Sequence, residues 1–256
     1  KWVQNGIINK ANVTIPELYE GYEYFLSPNV CMSGDGKTIA IPIIYSASPG
    51  QSDAPGRLHI LIFKYTNNEW KYFDAYQEPE VYYPYDSQAW MLNINEDGSV
   101  IIQGADYNKY FAEFKGLVEI IQLDPNSNKY VRNHVFLGSD IESIPEDEKT
   151  IIGIAEVGGP TTHISPDGNI VLFAAGYDNT LVFSRNNSEN KWLQVGNTIN
   201  STEEGFPYAV KNGSINSTGN KLVVANNISQ ANYAVAGNAE LNTIAYELKN
   251  NVWVKM

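Results

Sequence analysis

A four-residue turn that recurs along the chain constrains the fold more than any other feature. Ser33-Gly34-Asp35-Gly36 returns as Asn95-Glu96-Asp97-Gly98, as Ser165-Pro166-Asp167-Gly168 and, in worn form, as Ser217-Thr218-Gly219-Asn220. Asp-Gly between two strand-like runs is a hairpin signal. Glycine takes the positive φ at no steric cost, and Asp or Ser bonds back to the local backbone. After each copy comes a continuous apolar run of strand length, which suits strands covered on both faces. Strands are therefore expected over residues 38–43, 99–103, 170–174 and 221–225.

A third strand follows each of these runs, at residues 58–63, 117–121, 180–183 and 243–246. Next comes an Asn-rich turn, and then a short strand opening with an aromatic: Trp70, Tyr130, Trp192 and Trp253. These aromatics lie 60, 62 and 61 residues apart. Trp2-Val3-Gln4-Asn5-Gly6 matches Trp192-Leu193-Gln194-Val195-Gly196, which places one more fourth-type strand in front. Four units of four strands fit the chain, at about 3–73, 74–133, 134–195 and 196–256. Radial repetition of four-stranded antiparallel sheets is the blade plan of a β-propeller, so the expected fold is all-β, one propeller domain of about four blades. The four aromatics should sit on equivalent outer strands and pack between neighbouring blades.

Composition agrees with many strands and turns. The chain has 256 residues, a length that one all-β domain can carry. Only Ser143-Ile144-Pro145-Glu146-Asp147-Glu148-Lys149 could start a helix. Net charge is −12, from 17 basic and 29 acidic residues. No Lys/Arg cluster provides the basic stripe that nucleic-acid binding needs. No run reaches membrane-span length. The single cysteine, Cys31, can form no disulfide within the chain and reads as a small buried apolar residue, with a reactive thiol as the alternative. Six sequons, at Asn12, Asn186, Asn200, Asn212, Asn216 and Asn227, fit a secreted glycoprotein and equally a composition that favours Asn.

The joint pattern resembles the FG-GAP/WD40-like propeller repeats of surface proteins from marine bacteria, algae and large DNA viruses. The residues that carry the resemblance are Ser33, Asp35 and Gly36 with Gly56 and Trp70; Ser165, Asp167 and Gly168 with Trp192, Gln194 and Gly196; and Trp2, Gln4 and Gly6. Units two and four depart from it, with Tyr130 in place of Trp and Gly219-Asn220 in place of Asp-Gly. What the resemblance implies is a fold and a binding or scaffolding role on a cell surface or virion, not a reaction.

The motifs that suggest chemistry fall short of it. Asn93-Ile94-Asn95-Glu96-Asp97-Gly98 imitates a calcium loop, but Asn93 and Gly104 stand where Asp and Glu are required, so hairpin outweighs calcium and no cofactor is expected. Gly34-Asp35-Gly36-Lys37-Thr38 echoes a phosphate loop without its first glycine or its helix. His59, His134 and His163 lack ligand spacing and read as packed strand residues. Among 29 acids nothing marks a glycosidase pair.

The segment from Glu78 to Asp86 stands out for its tyrosines. In a propeller such connections share one face with the loops between second and third strands. That rim would gather Tyr22, Tyr83, Tyr85, Asp86, Asp106, Tyr107, Tyr177 and Asp178, flat apolar faces with polar tips that suit a glycan or a peptide. The same tyrosines would equally pack between blades. The sequence thus reads as a non-enzymatic binding or scaffolding module, extracellular or on a virion. A glycan-active hydrolase or lyase and an intracellular adaptor are the competing classes. Trp2 and Trp253 share one phase of the repeat, so the ends are expected to continue into further repeats or to pair with a neighbouring copy.

Overall fold

The computed structural model describes residues 23–26, 30–46, 59–77, 89–105, 117–137, 162–175, 179–200, 210–226 and 242–256; every regular element among them is a strand. Blade 1 holds β1 (Glu23–Leu26), β2 (Cys31–Met32), β3 (Thr38–Ser46), β4 (His59–Thr66) and β5 (Glu69–Gln77). β1 and β2 both pair with β3, so they are one first strand in two pieces. Blade 2 holds β6 (Ala89–Ile94), β7 (Val100–Ala105), β8 (Leu117–Asp124) and β9 (Lys129–Leu137). Blade 3 holds β10 (Thr162–Ile164), β11 (Ile170–Ala175) and β12 (Asn179–Asn186), with β13 (Lys191–Gln194) and β14 (Ile199–Asn200) sharing the far side of β12. Blade 4 holds β15 (Val210–Ile215), β16 (Lys221–Asn226), β17 (Asn242–Lys249) and β18 (Val252–Lys255). Neighbours are antiparallel throughout and follow chain order.

The recurring turn joins the first two strands of every blade. Its glycine lies at φ +70, +74, +74 and +68 at Gly36, Gly98, Gly168 and Gly219. In each copy the side-chain oxygen of the first residue accepts the N–H five residues on: Thr38 to Ser33 (2.9 Å), Val100 to Asn95 (2.9 Å), Ile170 to Ser165 (2.9 Å) and Lys221 to Asn216 (3.0 Å). This corrects the frame of the fourth copy. It begins at Asn216, one residue before the expected Ser217, so Thr218-Gly219 stands for Asp-Gly. An amide oxygen does the work of a hydroxyl oxygen, which is why the turn is less worn than its letters suggest.

The Asn-rich turns join third and fourth strands. Asn67, Asn68, Asn250 and Asn251 all have positive φ (53, 64, 50 and 61°), the two-residue hairpin whose twist matches the strands. Asn128 and Asn190 (56 and 51°) close the longer turns of blades 2 and 3. Asn tolerates the left-handed region better than other non-glycine residues, so its abundance has a backbone cause. One bond fixes the common register. Tyr65, Leu123, Arg185 and Leu248 each donate a backbone N–H, at 2.8 Å, to the carbonyl that precedes the second strand of their own blade.

Successive blades pack face to face. In blades 2 to 4 the turn glycine rests on the first residue of the previous blade's second strand. A Cβ on Gly98 would lie 2.3 Å from Thr38 Oγ1, one on Gly168 would lie 2.9 Å from Val100 Cγ2, and one on Gly219 would lie 2.1 Å from Ile170 Cδ1. Glycine is needed there for closeness as well as for φ. Asp35 N–H also donates to Glu96 O (2.8 Å) and Glu96 N–H to Pro166 O (3.0 Å), tying turn to turn. Between the sheets lie cores that run from Ile60, Ile62, Ile101 and Ile121, through Ile102, Ile120, Phe136, Phe173 and Phe183, to Leu172, Val182, Val224 and Tyr246. Four-stranded meanders stacked in this order form an all-β propeller of four blades.

The aromatics occupy the second position of each last strand, where they pair with Tyr65, Leu123, Arg185 and Leu248. Tyr130 meets Phe73 edge-on (6.2 Å), Trp192 meets Phe136 (6.1 Å), and Trp253 Nε1 donates to Val195 O (2.9 Å), all across a blade boundary. Trp70 differs. It is half-buried and lies against Tyr65 of its own blade at 5.2 Å. Packing between blades therefore holds for three of the four. Trp2 and the stretch 143–149 lie outside the described residues. β5 and β9 run on to Gln77 and Leu137, past the unit limits at 73 and 133.

Candidate functional site

Tyr22, Tyr83, Tyr85, Asp86, Asp106, Tyr107, Tyr177 and Asp178 all lie outside the described residues. The strands do fix where their segments begin. In an antiparallel meander the first and third turns share one edge, and the second connection and the exit share the other. Both short turns of every blade therefore lie on one edge. Residues 47–58, 78–88, 106–116, 138–161, 176–178, 201–209 and 227–241 all depart from the opposite edge.

Just inside that second edge, at the boundary of blades 1 and 2, is a polar cluster that sequence reasoning missed. Glu119, in β8, is wholly buried, the one buried charged side chain among the described residues. Arg132 Nε and the Tyr76 hydroxyl donate to its Oε1, and Gln103 Nε2 donates to its Oε2. Tyr76 belongs to β5 of blade 1, so the cluster spans the interface. It stands two residues from the end of β7 and one from the end of β5, beneath the points where 106–116 and 78–88 depart. Gln103 Oε1 is buried without a hydrogen-bond partner.

The other blades show what this position ordinarily holds. Gln103 lies opposite Glu119 in the ladder. The same cross-strand pair is Ile41–Leu61 in blade 1, Phe173–Leu181 in blade 3 and Val224–Ile244 in blade 4, all buried. Burying a carboxylate is tolerable only when it is paired and its lone pairs are filled. Here a guanidinium, a phenol and an amide fill them, and the Arg132 side chain stays 19% exposed. No second buried acid faces Glu119 among the described residues. The signal was present: an acid inside Leu117-Val118-Glu119-Ile120-Ile121, on a strand covered on both faces, must be buried and so must be paired.

The remaining candidates are structural in their surroundings. Asp35 is held below the ordinary carboxylate range chiefly by the Ser33 hydroxyl (2.6 Å). For Asp97 and Asp167 burial opposes the charged form. Hydrogen bonds from Ser99 and Asn95, and from Ser165 and Asn169, outweigh it and hold both below the usual range. The calcium-like stretch is thus an ordinary copy of the turn, with Asp97 Oδ1 accepting from Asn95 and Ser99. Among the described residues no three His, Cys, Asp or Glu converge as a metal site would require. His163 lies 3.4 Å from Ser214 Oγ and accepts from Ile215 N–H at Nδ1, and burial lowers its pKa. His134 packs edge-on against Phe136 at 4.5 Å. Cys31 Sγ lies 3.9 Å from Ala40 O, and desolvation pushes the thiol up to about 12, leaving it a poor nucleophile at neutral pH.

Among the sequons, Asn216 spends its amide on the turn, donating to Thr218 and Asn220 and accepting from Asn220 and Lys221. Asn200 donates to Asn179 (3.1 Å), and Asn186 accepts from Ser188. Asn212 lies in β15; Asn12 and Asn227 lie outside the described residues.

No family model matches the sequence, and no curated protein does. Among solved structures the chain is similar to Sqt1 of Saccharomyces cerevisiae, with a TM-score of 0.46 at 9% identity, over 90% of this chain and 48% of that one. The chain thus spans about half the length of Sqt1. A likeness this distant transfers no function; the propeller assignment stands on the four antiparallel sheets.

Proposed function

We propose that the chain is a non-enzymatic binding scaffold that engages a protein partner at the edge from which its long connections depart. The observation that carries this reading is the contrast between the edges. On one, short turns spend their polar side chains on the backbone. On the other begin the longer connections, two of which, 78–88 and 106–116, leave above an interface pinned by Glu119. A rigid frame with variable loops on one side is a general plan for recognition. Tyr83, Tyr85, Asp86, Asp106 and Tyr107 belong to those connections. Their composition supports a glycan as the second reading.

The test is a glycan array run beside affinity capture with mass-spectrometric identification, on the wild type and on a Tyr83→Ala/Tyr85→Ala variant. A protein captured by the wild type and lost with the tyrosines supports the first reading. Array signal lost in the same way supports the second. Capture indifferent to the tyrosines overturns the assignment to this edge, and turnover of any arrayed glycan would favour the hydrolase or lyase.

Self-association has an observation of its own. Val223 on β16 is 41% exposed, whereas its equivalents Ala40, Ile102 and Leu172 are fully buried under the next blade. Val252 and Val254 are exposed on the same face. Elution volume that shifts with concentration, and ceases to shift in Val223→Glu, would support pairing through blade 4.

A further inference from the structure

One contact is repeated at all three blade boundaries. Ala40 shares a core with Ile94 and Ile101, Ile102 with Ile164 and Val171, and Leu172 with Ile215 and Leu222. In each case the third residue of one blade's second strand meets the second residue of the next blade's second strand. The other member is the ladder partner of that second residue on the first strand. Two halves are left over at the ends of the stack. Blade 4 has Val223, which no further blade meets. Blade 1 has Ile39 with its ladder partner Met32, and no earlier blade meets them.

Both leftover halves are open. Val223 is 41% exposed and Met32 is 58% exposed, whereas Ile94, Ile164 and Ile215, which stand where Met32 stands, are buried. Ile39 is half-buried where Ile101, Val171 and Leu222 are buried. Trp70 packs on the Ile41, Ile43, Leu61, Phe63 and Ala75 cluster of its own blade, yet it too stays half-buried where Tyr130, Trp192 and Trp253 are buried. The turn edge repeats the pattern. Thr38, Val100 and Ile170 each lie over the turn glycine of the next blade, but a Cβ on Gly36 would meet nothing within 4 Å. The equivalent side chain with no glycine beneath it is Lys221 of blade 4, which is exposed.

We propose that a second copy of this chain supplies the missing halves, with blade 4 of one copy packed on blade 1 of the next. Val223 lies against Met32 and Ile39, as Leu172 lies against Ile215 and Leu222 within the chain. Lys221 lies over Gly36 with its ammonium toward the Asp35 carboxylate, which the Ser33 hydroxyl holds ionised. The occupant is a copy because each open half carries the residues that its counterpart meets three times inside the chain. Charge agrees, since the unfilled turn carries a carboxylate and the unseated side chain is a lysine. Ile41, Ile43 and Leu61 are already buried, so the contact is confined to the half of blade 1 nearest its short turns. Both halves are open in one chain, so they are not closed on each other within it. The contact joins unlike surfaces and therefore propagates into a ring or a filament. The inference rests on the self-association reading for blade 4 and adds the surface that blade 4 meets.

Light scattering on the full chain tests it, with two variants measured singly and mixed. Met32→Glu spoils only the blade 1 half, and Val223→Glu spoils only the blade 4 half. The wild type should grow in mass with concentration, and each variant alone should keep the mass of one chain. An equimolar mixture of the two should reach twice that mass and stop, because the intact blade 4 half of one meets the intact blade 1 half of the other. Formation of that pair also shows that both variants fold. A wild type that keeps the mass of one chain, or growth that survives Val223→Glu, overturns the blade 4 reading and this inference with it. Growth lost in Val223→Glu but kept in Met32→Glu leaves the blade 4 reading standing and overturns this inference, in favour of blade 4 meeting blade 4. Variants that remain single chains when mixed overturn it as well.

Discussion

The boundary between blades 1 and 2 and the boundary between blades 2 and 3 share a backbone plan and differ in what fills it. At the first, Glu119 is held by Tyr76, Gln103 and Arg132, and Asp74 accepts the Tyr130 N–H (2.7 Å). Lys64 lies 3.8 Å above the Phe73 ring, with its pKa lowered by burial against the opposing pull of Asp97 and Asp74. At the second, Phe136, Phe173, Phe183 and Trp192 pack ring on ring, with centroids 4.6 to 6.1 Å apart. Apolar rings give adhesion but little direction. Hydrogen-bonded charges add little net stability and fix which surface meets which. The polar boundary lies under two long connections, where orientation matters most to whatever those connections hold.

The aromatic boundary should show the largest losses. Trp192→Ala or Phe173→Ala deletes a large buried ring and should cost about 3–5 kcal/mol in urea unfolding. A loss below about 1 kcal/mol for Trp192 would mean that its ring is exposed in solution and belongs to a binding surface.

The polar boundary should break differently. Glu119→Leu leaves the donors of Tyr76, Gln103 and Arg132 without their acceptor, at a cost of about 2–4 kcal/mol, moderated because Arg132 can reach water. Glu119→Leu combined with Gln103→Ile recreates the Ile41–Leu61 pair of blade 1. Removing Gln103 takes away one of the three stranded donors and should recover part of that loss, with Tyr76 and Arg132 still deprived of the carboxylate. If the double variant is as damaged as the single one, the cluster contributes stability rather than orientation, and the contrast drawn above fails.

The turn glycines sharpen the comparison further. Gly36 and Gly98 have closely similar φ, +70 and +74, but a Cβ on Gly36 meets nothing within 4 Å while one on Gly98 strikes Thr38. Gly36→Ala should cost about 1 kcal/mol, from backbone strain alone. Gly98→Ala should cost about 2–3 kcal/mol, because contact strain adds. Equal losses would show that the blades yield at their boundary.

The blades were legible in the sequence because their turns leave few choices. Positive φ in a hairpin selects Gly or Asn, so Asp35-Gly36, Asp97-Gly98, Asp167-Gly168 and Asn67-Asn68 announce themselves. The fourth copy slipped by one residue because Thr218-Gly219 stands where the other copies have Asp-Gly, and Gly219-Asn220 imitates that pair one step late. Glu119 went unnoticed because strands buried on both faces do not alternate, and a single acid in such a run reads as solvent-facing. The partner surface was not legible, since Tyr83 or Asp106 in a long connection has no periodicity to fix its neighbours.

Acid should weaken the turns of blades 1 to 3 and spare that of blade 4, the smallest effect expected here. Asp167 accepts from Ser165 Oγ (2.5 Å) and from Asn169 N–H (3.1 Å), and these bonds depress its pKa despite burial. A carboxyl with a folded pKa below its unfolded value of about 3.9 adds stability above that value. That stability fades as pH falls through the folded pKa. In blade 4, Thr218 stands in the aspartate's place and bonds Asn220 Oδ1 (2.8 Å), with nothing to titrate. The urea midpoint of Asp167→Asn should therefore lie below that of the wild type at pH 7, and the gap should narrow once the pH drops below about 4. Thr218→Val should lower the midpoint by the same amount at both pH values. A gap for Asp167→Asn that persists unchanged at pH 2.5 would show that the neutral carboxyl serves the turn as well as the carboxylate does. The turns of blades 3 and 4 would then be equivalent in chemistry as they already are in φ.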